Sequence, residues 1–540
     1  MRHPLRELPT ALGILLLAAI FFRAASAPIA PVDTWNHWKY GEWIWQHEKL
    51  PDREPFSPGT SDSNRPVVDP AWLAEVAGYL VYARAGMEGI VLFYGLAEVL
   101  KTVLLLAAFR RVCGSPWLGL FGAVLVLAGS WDRFGIFRPE VLGEVCWAAV
   151  LFLVGWAESS RRTGITRPQP QQGIDPVGLQ DSAHPTSNIP ALGLLPCIFV
   201  LWANLDASFV VGLFCLAVLV IGQFLQGDHD RGLRGLVLAT AASWAAASVN
   251  PYGPSLIGTV VSHVRSGLLQ GVPEWQPFIP LATYSAKAFA ISVLVVLATL
   301  RFSPRPFSAA DALLLATFGL ATWFAGRLLP WWMMLWPFVL LPHWREIGNR
   351  VRGAHPMTTR VRSMRPTLPL AWSKLAACRW PAAAAITVGI AIVLASGTGR
   401  WLLRGAARPE AEQVAPGTPV EVADQLDSLL SRRTARVLAS PLWCDYLLWR
   451  MPPAGTLFVY DQYDAFPPKN LAAYVRIVTM QPPPDDWRTL LDRYGIDVVA
   501  LSAEAPRKDL FAHFLHGKEP GWQIFYVNTA ATELVAERVR

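Results

Sequence analysis

Long apolar runs dominate this chain and recur from Leu8 to about Trp401, with short polar stretches between them. The first run, from Leu8 to roughly Ala30, is long enough to cross a bilayer, and the later runs are of spanning or near-spanning length. Apolar residues make up 53% of the 540 residues, which is high for a soluble protein. The pattern therefore predicts an α-helical polytopic membrane protein and excludes a single soluble domain.

Lysine and arginine in the short loops set the predicted orientation, because positively charged loops stay on the cytoplasmic side. We predict that the N-terminus, with Arg2 and Arg6, lies inside as an uncleaved anchor. The chain then crosses the membrane about eleven times and leaves residues 31–86 and the C-terminal region outside. These basic loops also account for the formal net charge of +7, so no nucleic-acid partner is expected.

The chain is predicted to form two domains. Residues 1–401 form the transmembrane domain, which includes the first outer loop at 31–86 and a disordered inner loop at 158–189. Residues 402–540 alternate short β-like runs with helical stretches such as Asp486–Tyr494, which predicts a small α/β domain on the outer side. The four β-like runs are Arg436–Ser440, Thr456–Tyr460, Asp497–Leu501 and Gln523–Val527.

The first outer loop carries the two leading catalytic candidates. Asp33 and His37 lie one helical turn apart, so their side chains can share a face at the membrane–water boundary. A carboxylate placed there can deprotonate an acceptor hydroxyl, and the imidazole can support it or contact a phosphate. Two structural alternatives stay open: Asp33 is also a favoured residue to cap a helix that begins at Thr34, and His37 can be an interfacial histidine bonded to backbone.

Other polar residues on the predicted outer side are candidates for substrate contacts. Arg138 and Arg327 stand at the mouths of spans, where arginine can hold a phosphate bidentately. Snorkelling to the interface is the competing explanation. The remaining candidates are polar residues of loops, turns and one outer helix, for which solvated loops, caps and turns are the alternatives: Asp52, Glu54, Glu75, Asn204, Asp206, Asn250 and Glu274.

Tryptophans are interleaved with the two catalytic candidates. Trp35, Trp38, Trp43 and Trp45 all fall in the segment that follows the first span. Tryptophan concentrates at membrane interfaces, so we expect interfacial anchors here rather than platforms that stack on a sugar.

The first outer loop also carries a family resemblance. The motif Asp33-x-Trp35-x-His37-x-x-x-Gly41, then Pro55-Phe-Ser57 and Trp72-Leu-x-Glu75-Val, resembles bacterial membrane proteins with a GT-C-type glycosyltransferase fold. The resemblance covers nearly the whole chain and continues through the following segments: Arg138-Pro-Glu140, Leu201-Trp-Ala-Asn204, Val249-Asn-Pro-Tyr-Gly253, Glu274-Trp-Gln276, Gly326-Arg327, Trp443–Arg450 and Tyr494-Gly-Ile-Asp497.

The resemblance implies both a fold and a reaction. It implies a GT-C-like helical core and an inverting glycosyltransferase whose donor is a sugar on polyprenyl phosphate, with the carboxylate of Asp33 as the catalytic base. The acceptor would be an envelope glycan, a lipid or a protein on the outer face of the bacterial inner membrane. The alternative is a non-catalytic component of polysaccharide assembly or export that keeps the fold. We expect no metal and no other cofactor; the partners are the lipid-linked sugar, its acceptor and membrane lipid.

Overall fold

Two compact units make up the chain in the computed structural model. The first contains residues 1–26, 92–134 and 140–404, and the second contains residues 27–91, 135–139 and 405–540. The predicted domain boundary at 401 lies close to the division at 404, but the first outer loop groups with the C-terminal residues and not with the helices. The described residues are 7–29, 33–57, 66–133, 136–164, 189–227, 231–265, 275–279, 282–353, 380–405, 407–460, 466–481, 486–504 and 507–539.

The chain is mostly helical, and the first predicted span, which begins at Leu8, coincides with a helix. The helix that begins at Glu140 continues to Gly164, beyond residue 158, where the inner loop was predicted to begin. Most of that loop lies outside the described residues. The helices are α1 (Leu8–Ser26), α2 (Thr34–His47), α3 (Trp72–Cys113), α4 (Pro116–Gly129), α5 (Glu140–Gly164), α6 (Ile189–Leu192), α7 (Leu195–Leu205), α8 (Phe209–Leu225), α9 (Arg231–Ala246), α10 (Ser255–Arg265), α11 (Tyr284–Phe302), α12 (Ala309–Phe324), α13 (Leu329–Val351), α14 (Trp380–Ala395), α15 (Gly397–Arg404), α16 (Glu410–Gln413), α17 (Val420–Leu430), α18 (Pro441–Arg450), α19 (Pro468–Val478), α20 (Trp487–Arg493) and α21 (Lys508–Leu515).

Membrane-spanning character is clear for a subset of these helices. Within the described residues, α1, α3 and α11 are long and apolar enough to cross a membrane. The pair α14 and α15, bent by 83°, adds a fourth if it is one broken span. Helices α4, α7, α8 and α12 are apolar but shorter. The chain is therefore a membrane protein, while the count of about eleven spans stays a prediction.

The first unit is a helical bundle that packs through small residues and tryptophans. Helix α1 lies along α14, and α8 lies along α12. A side-chain atom added at Gly222 of α8 would meet the Cα of Ala310 at 2.4 Å, so the α8–α12 crossing requires glycine. Small residues allow such close contact between helices in a bilayer. Trp147, Trp202 and Trp331, all buried, form an aromatic centre with ring centroids 5.9–6.5 Å apart.

The second unit contains a mixed five-stranded sheet, which confirms the predicted C-terminal α/β character. Its strands are β1 (Ala435–Ala439), β2 (Gly455–Leu457), β3 (Val498–Ser502), β4 (Trp522–Val527) and β5 (Glu533–Arg538), in the order β2-β1-β3-β5-β4. Strand β1 is parallel to β2 and β3, and β5 is antiparallel to β3 and β4. Every residue of the central strand β3 is buried, as expected for a strand that is covered on both faces.

Helix α2 packs in the core of the second unit. Trp35 is 0% exposed and meets the ring of Tyr446, from α18, edge to face at 4.9 Å. Trp38 is 1% exposed and stacks on Tyr82 of α3 at 5.9 Å. The prediction of interfacial anchors is therefore wrong for Trp35 and Trp38, which supply core packing. Trp45, in contrast, is exposed.

Candidate functional site

Asp33 lies at the first turn of α2, and its side chain faces an arginine. Its backbone is already helical (φ −49°, ψ −8°), and among the described residues its carboxylate makes no capping hydrogen bond to α2. Instead, Oδ1 of Asp33 accepts a hydrogen bond from Nε of Arg138. The hydrogen bond that defines a helix cap is therefore absent for Asp33 among the described residues, which argues against the capping alternative.

Arg138 is held inside the second unit by this ion pair. It precedes Pro139, which favours an extended backbone at the preceding residue, and it is 9% exposed. A guanidinium that snorkels to an interface would place its charged end in water. The structure instead pairs that end with a carboxylate, so Arg138 and Asp33 form one charged unit.

His37 lies between two carboxylates. Its Nδ1 is 2.6 Å from Oε1 of Glu75, and its Nε2 is 4.0 Å from Oδ2 of Asp33. The side chains of Asp33 and His37 are 21% and 27% exposed, whereas that of Glu75 is 4% exposed. The three groups therefore form a line from a partly exposed end to a buried end. The structure thus brings together four sequence candidates, Asp33, His37, Glu75 and Arg138.

A second buried carboxyl group, that of Asp69, stands behind Glu75. The Asp69 and Glu75 side chains are hydrogen-bonded to each other, and Oδ1 of Asp69 accepts a 2.8 Å hydrogen bond from the backbone N–H of Ala71. Burial, followed by the charge of Glu75, raises the pKa of Asp69 well above its usual value. Two carboxyl groups can hydrogen-bond only if one carries a proton. Asp69 is thus the neutral donor to Glu75, whose own pKa burial raises to about 8.

Gly41 permits this arrangement. A Cβ built on Gly41 would lie 2.1 Å from the backbone oxygen of Glu75, so α2 and α3 cross with their backbones in contact. His37 lies one turn before Gly41 on α2, so the close crossing places its ring against the Glu75 carboxylate. The glycine of the His-x-x-x-Gly motif therefore has a packing role that joins the motif to Glu75.

We expect an Asp69→Asn variant to become more stable than the wild type as the pH rises. The raised pKa means that folded Asp69 keeps a proton that the unfolded chain releases above about pH 4. Asp69 therefore stabilises the fold fully below that pH, and its contribution falls by about 1.4 kcal/mol per pH unit until its folded pKa is passed. Asparagine cannot ionise and still offers a donor to Glu75 and an acceptor to Ala71.

Thermal unfolding midpoints at pH 5 and pH 8 measure this effect. The difference between the variant and the wild type should be larger at pH 8. The exposed Asp427→Asn change in α17 is the control and should show no such trend. A larger loss of stability for Asp69→Asn at pH 8 than at pH 5 would mean that Asp69 is ionised.

Glu54 belongs to a separate buried network of the second unit. Its carboxylate accepts hydrogen bonds from the backbone N–H groups of Phe56 and Ser57, each at 2.6 Å, and from the Tyr460 hydroxyl at 2.5 Å. Tyr460 also contacts the hydroxyl of Tyr40 at 3.1 Å. Burial raises the pKa of Glu54, and the three hydrogen bonds oppose that rise. Both oxygens are thus engaged within the protein, whereas Asp52 is exposed.

The first unit holds a second group of candidates. Arg327 and Arg133 place guanidinium nitrogens 3.8 Å and 3.7 Å from the two carboxylate oxygens of Glu140. The guanidinium of Arg327 also lies 5.6 Å from the centre of the Trp275 ring, within range of a cation–π interaction. Asp206 follows α7 and accepts a 2.9 Å hydrogen bond from the backbone N–H of Ser208.

The two asparagine candidates serve turns and helix ends. Nδ2 of Asn204 donates to the carbonyl oxygens of Val200 and Val249 at 2.7 and 2.8 Å. Asn250 closes its own turn, since Oδ1 accepts from the N–H of Tyr252 and Nδ2 donates to the carbonyl of Ala247. These contacts match the turn alternative for both residues. Glu274 lies outside the described residues.

Sequence reasoning missed several polar partners. No sequence pattern pairs Asp69 with Glu75, and this contact was not predicted. Tyr40 and Tyr460 carry no sequence signal of their own. In the first unit, Lys101 lies 2.8 Å from Glu98 and 2.5 Å from Glu144, beside a cavity of about 20 Å³ that has room for one water molecule. Charged residues within apolar runs are the signal that would have found this triad.

Among the described residues, no three histidine, cysteine, aspartate or glutamate side chains converge as metal ligands would. The expectation that no metal takes part stays a prediction.

Comparison with solved structures identifies the fold. The oligosaccharyltransferase of Archaeoglobus fulgidus tethered to an acceptor peptide is similar over 98% of this chain and 74% of its own, with 11% identity and a TM-score of 0.59. The archaeal oligosaccharyltransferase AglB from Archaeoglobus fulgidus, in complex with an inhibitory peptide and a dolichol-phosphate, is similar over 97% of this chain and 74% of its own, with 11% identity and a TM-score of 0.52. ArnT from Cupriavidus metallidurans bound to undecaprenyl phosphate is similar over 98% of this chain and 97% of its own, with 12% identity and a TM-score of 0.46.

The similarity to the two archaeal oligosaccharyltransferase structures, with TM-scores above 0.5, confirms the GT-C fold that the sequence resemblance predicted. At such low identity the similarity concerns the fold alone. No protein-family model matches the chain, and no curated protein matches it.

Proposed function

We propose that this protein is a membrane glycosyltransferase that moves a sugar from a polyprenyl-phosphate donor to an envelope glycan, lipid or protein acceptor on the outer face of the bacterial inner membrane. The GT-C fold and the long apolar helices support a reaction at a membrane. One solved AglB complex, which shares the fold, contains a dolichol-phosphate, and this supports a lipid phosphate as the donor class.

The observation that carries the proposal is the state of Asp33. Its carboxylate is partly exposed, is not used for helix capping among the described residues, and lies beside His37 and Arg138. A general base must be reachable by the hydroxyl whose proton it takes, and it must be held in position. Asp33 meets both conditions.

The proposed reaction inverts the configuration at the anomeric carbon of the sugar. Oδ2 of Asp33 takes the proton of the acceptor hydroxyl while that oxygen bonds to the anomeric carbon. The bond from this carbon to the phosphate oxygen breaks, and its electron pair leaves with the lipid phosphate. Guanidinium groups stabilise the charge that develops on a leaving phosphate. Arg138 in the second unit and Arg327 in the first are each proposed as phosphate contacts.

The proposal also includes the predicted topology. The chain would cross the inner membrane about eleven times, with its N-terminus in the cytoplasm and the C-terminal α/β domain in the periplasm. The basic stretch between residues 345 and 379 supports this orientation, because it would then face the cytoplasm. Cysteine labelling from outside intact cells at introduced sites in the two end regions would test it.

Mass analysis of lipid-linked sugars and envelope glycans in a deletion strain tests the function directly. We expect one sugar to disappear from a glycan, lipid or protein and its polyprenyl-phosphate form to accumulate. The wild-type gene should restore the product. Restoration by the Asp33→Asn variant to the same extent would favour the alternative, a non-catalytic component of polysaccharide assembly.

A further inference from the structure

We propose that Glu75, supported by Asp69, positions His37 so that its Nε2 receives the proton that Asp33 takes from the acceptor. The inference rests on the proposed function and assigns two buried carboxyl groups a part in it. Glu75 and Asp69 are positioning residues here, because their contacts run through His37.

The orientation of the His37 ring follows from its two neighbours. Burial raises the pKa of Glu75 to about 8. The ionised form accepts hydrogen bonds, so the His37 nitrogen 2.6 Å from it then carries the hydrogen. In the neutral ring this leaves Nε2 as the lone-pair nitrogen. Nε2 is the nitrogen on the side of Asp33, at 4.0 Å from Oδ2. The imidazole is therefore held with its proton-accepting atom toward the proposed base.

The hydrogen bond with Asp69 lowers the pKa of Glu75 and so favours the ionised form that this role requires. Glu75 is 4% exposed, and a buried carboxylate without partners would become neutral. The hydrogen bond from Asp69 and the N–H of His37 give it two donors. Because Asp69 is anchored through Ala71 to the start of α3, its carboxyl group cannot turn away from Glu75.

Arg138 favours transfer of the proton from Asp33 to His37. A guanidinium that is hydrogen-bonded to a carboxylate stabilises the ionised form of that carboxylate. Protonated Asp33 therefore releases its proton readily. In the proposed step the proton leaves the acceptor hydroxyl for Oδ2 of Asp33 and passes to Nε2 of His37. Asp33 is ionised again, and His37 becomes an imidazolium next to the negative charge of Glu75. A shift of about 1 Å, or one water molecule, closes the gap.

Several charged groups influence the titration of His37. Asp33 faces it from the same helix, and Glu75 faces it from α3, with Asp69 behind Glu75. Arg138 lies on the far side of Asp33. The phenol of Tyr40, also near Glu75 and Asp69, has a pKa raised by burial and stays neutral. Removal of the Glu75 charge should therefore make His37 easier to deprotonate.

Nitrogen NMR of ¹⁵N-histidine-labelled protein tests the orientation without any substrate. The chain contains ten histidines, and the His37→Gln variant identifies the signal of His37. Above pH 8, where Glu75 is ionised, we expect neutral His37 to carry its proton on Nδ1. In Glu75→Gln, which keeps a hydrogen-bond acceptor but removes the charge, we expect the titration midpoint of His37 to fall by about 1 pH unit or more.

The chain provides a matched control. His513 and Glu519 form the same kind of pair, with Nε2 of His513 2.8 Å from the Glu519 carboxylate, in the same unit. Glu519→Gln should leave the titration of His37 unchanged. A proton on Nε2 of neutral wild-type His37 would overturn the proposal, and this result does not depend on any variant that must fold.

Transfer assays distinguish failure of this inference from failure of the proposed function. Membranes of the deletion strain supply the accumulated donor and the acceptor, and product is measured by mass spectrometry from pH 5 to pH 8. We expect Glu75→Gln to lower the rate and to move the acid limb of its pH profile to lower pH. An unchanged profile with an inactive Asp33→Asn overturns only the role of Glu75. Full activity of Asp33→Asn overturns the proposed function itself.

Discussion

Asp33→Asn should reduce sugar transfer by about 10²- to 10⁴-fold, the range associated with general acid–base groups. Asparagine has the shape of aspartate, and its side-chain oxygen can still accept the hydrogen bond from Nε of Arg138. It cannot take a proton from a hydroxyl at neutral pH. The rate is expected to fall while the thermal unfolding midpoint stays close to that of the wild type, because Asp33 is partly exposed.

An equivalent change elsewhere in the second unit separates lost catalysis from a lost ion pair. Asp424 is bonded to the guanidinium of Arg450 at 2.8 Å. Asp424→Asn therefore weakens an aspartate–arginine pair with no part in the proposed reaction, and transfer should continue at the wild-type rate. If Asp33→Asn kept more than a tenth of the activity, Asp33 would not be the base, whatever its effect on stability.

The helical part of the fold was predictable because its signal is local. An apolar run long enough to cross a bilayer is visible in any window of sequence, and a helix begins at Leu8, where the first predicted span begins. Four strands were predicted for the same reason, since β-branched and aromatic residues cluster in them. Strand β5 was missed. Its apolar part is only Leu534, Val535 and Ala536, between charged residues, and its place between β3 and β4 depends on partners distant in sequence.

The candidate site was predictable only where helical spacing fixes it. The pairing of Asp33 with His37 follows from the four-residue spacing. The partner of Asp33 is 105 residues away in sequence, and that of Glu54 is 406 residues away. No periodicity links such positions. The prediction that Trp35 and Trp38 are interfacial anchors was wrong for another reason. An aromatic segment beside a span has the same composition whether it lies at an interface or in a protein core.

The close crossing of α2 and α3 leads to the largest stability effect that we expect. Gly41→Ala would place a methyl group 2.1 Å from the backbone oxygen of Glu75. A side chain can turn away from such a contact, but a backbone carbonyl inside a helix cannot, so the helices must separate. Overpacking of this kind costs typically about 1–3 kcal/mol, occasionally more. We expect the upper end of that range, seen as a lower thermal unfolding midpoint.

The same substitution should also disturb the site, because the crossing that Gly41 permits sets the 2.6 Å contact between His37 and Glu75. A separation of about 1 Å breaks that hydrogen bond, so sugar transfer should fall in the folded fraction. Neutral His37 should then no longer carry its proton mainly on Nδ1. Gly258→Ala in α10 is the control: the added methyl group meets open space, and alanine favours a helix over glycine by up to about 1 kcal/mol. A Gly41→Ala variant with wild-type stability and an intact His37 signal would show that the α2–α3 crossing is wider than a glycine contact.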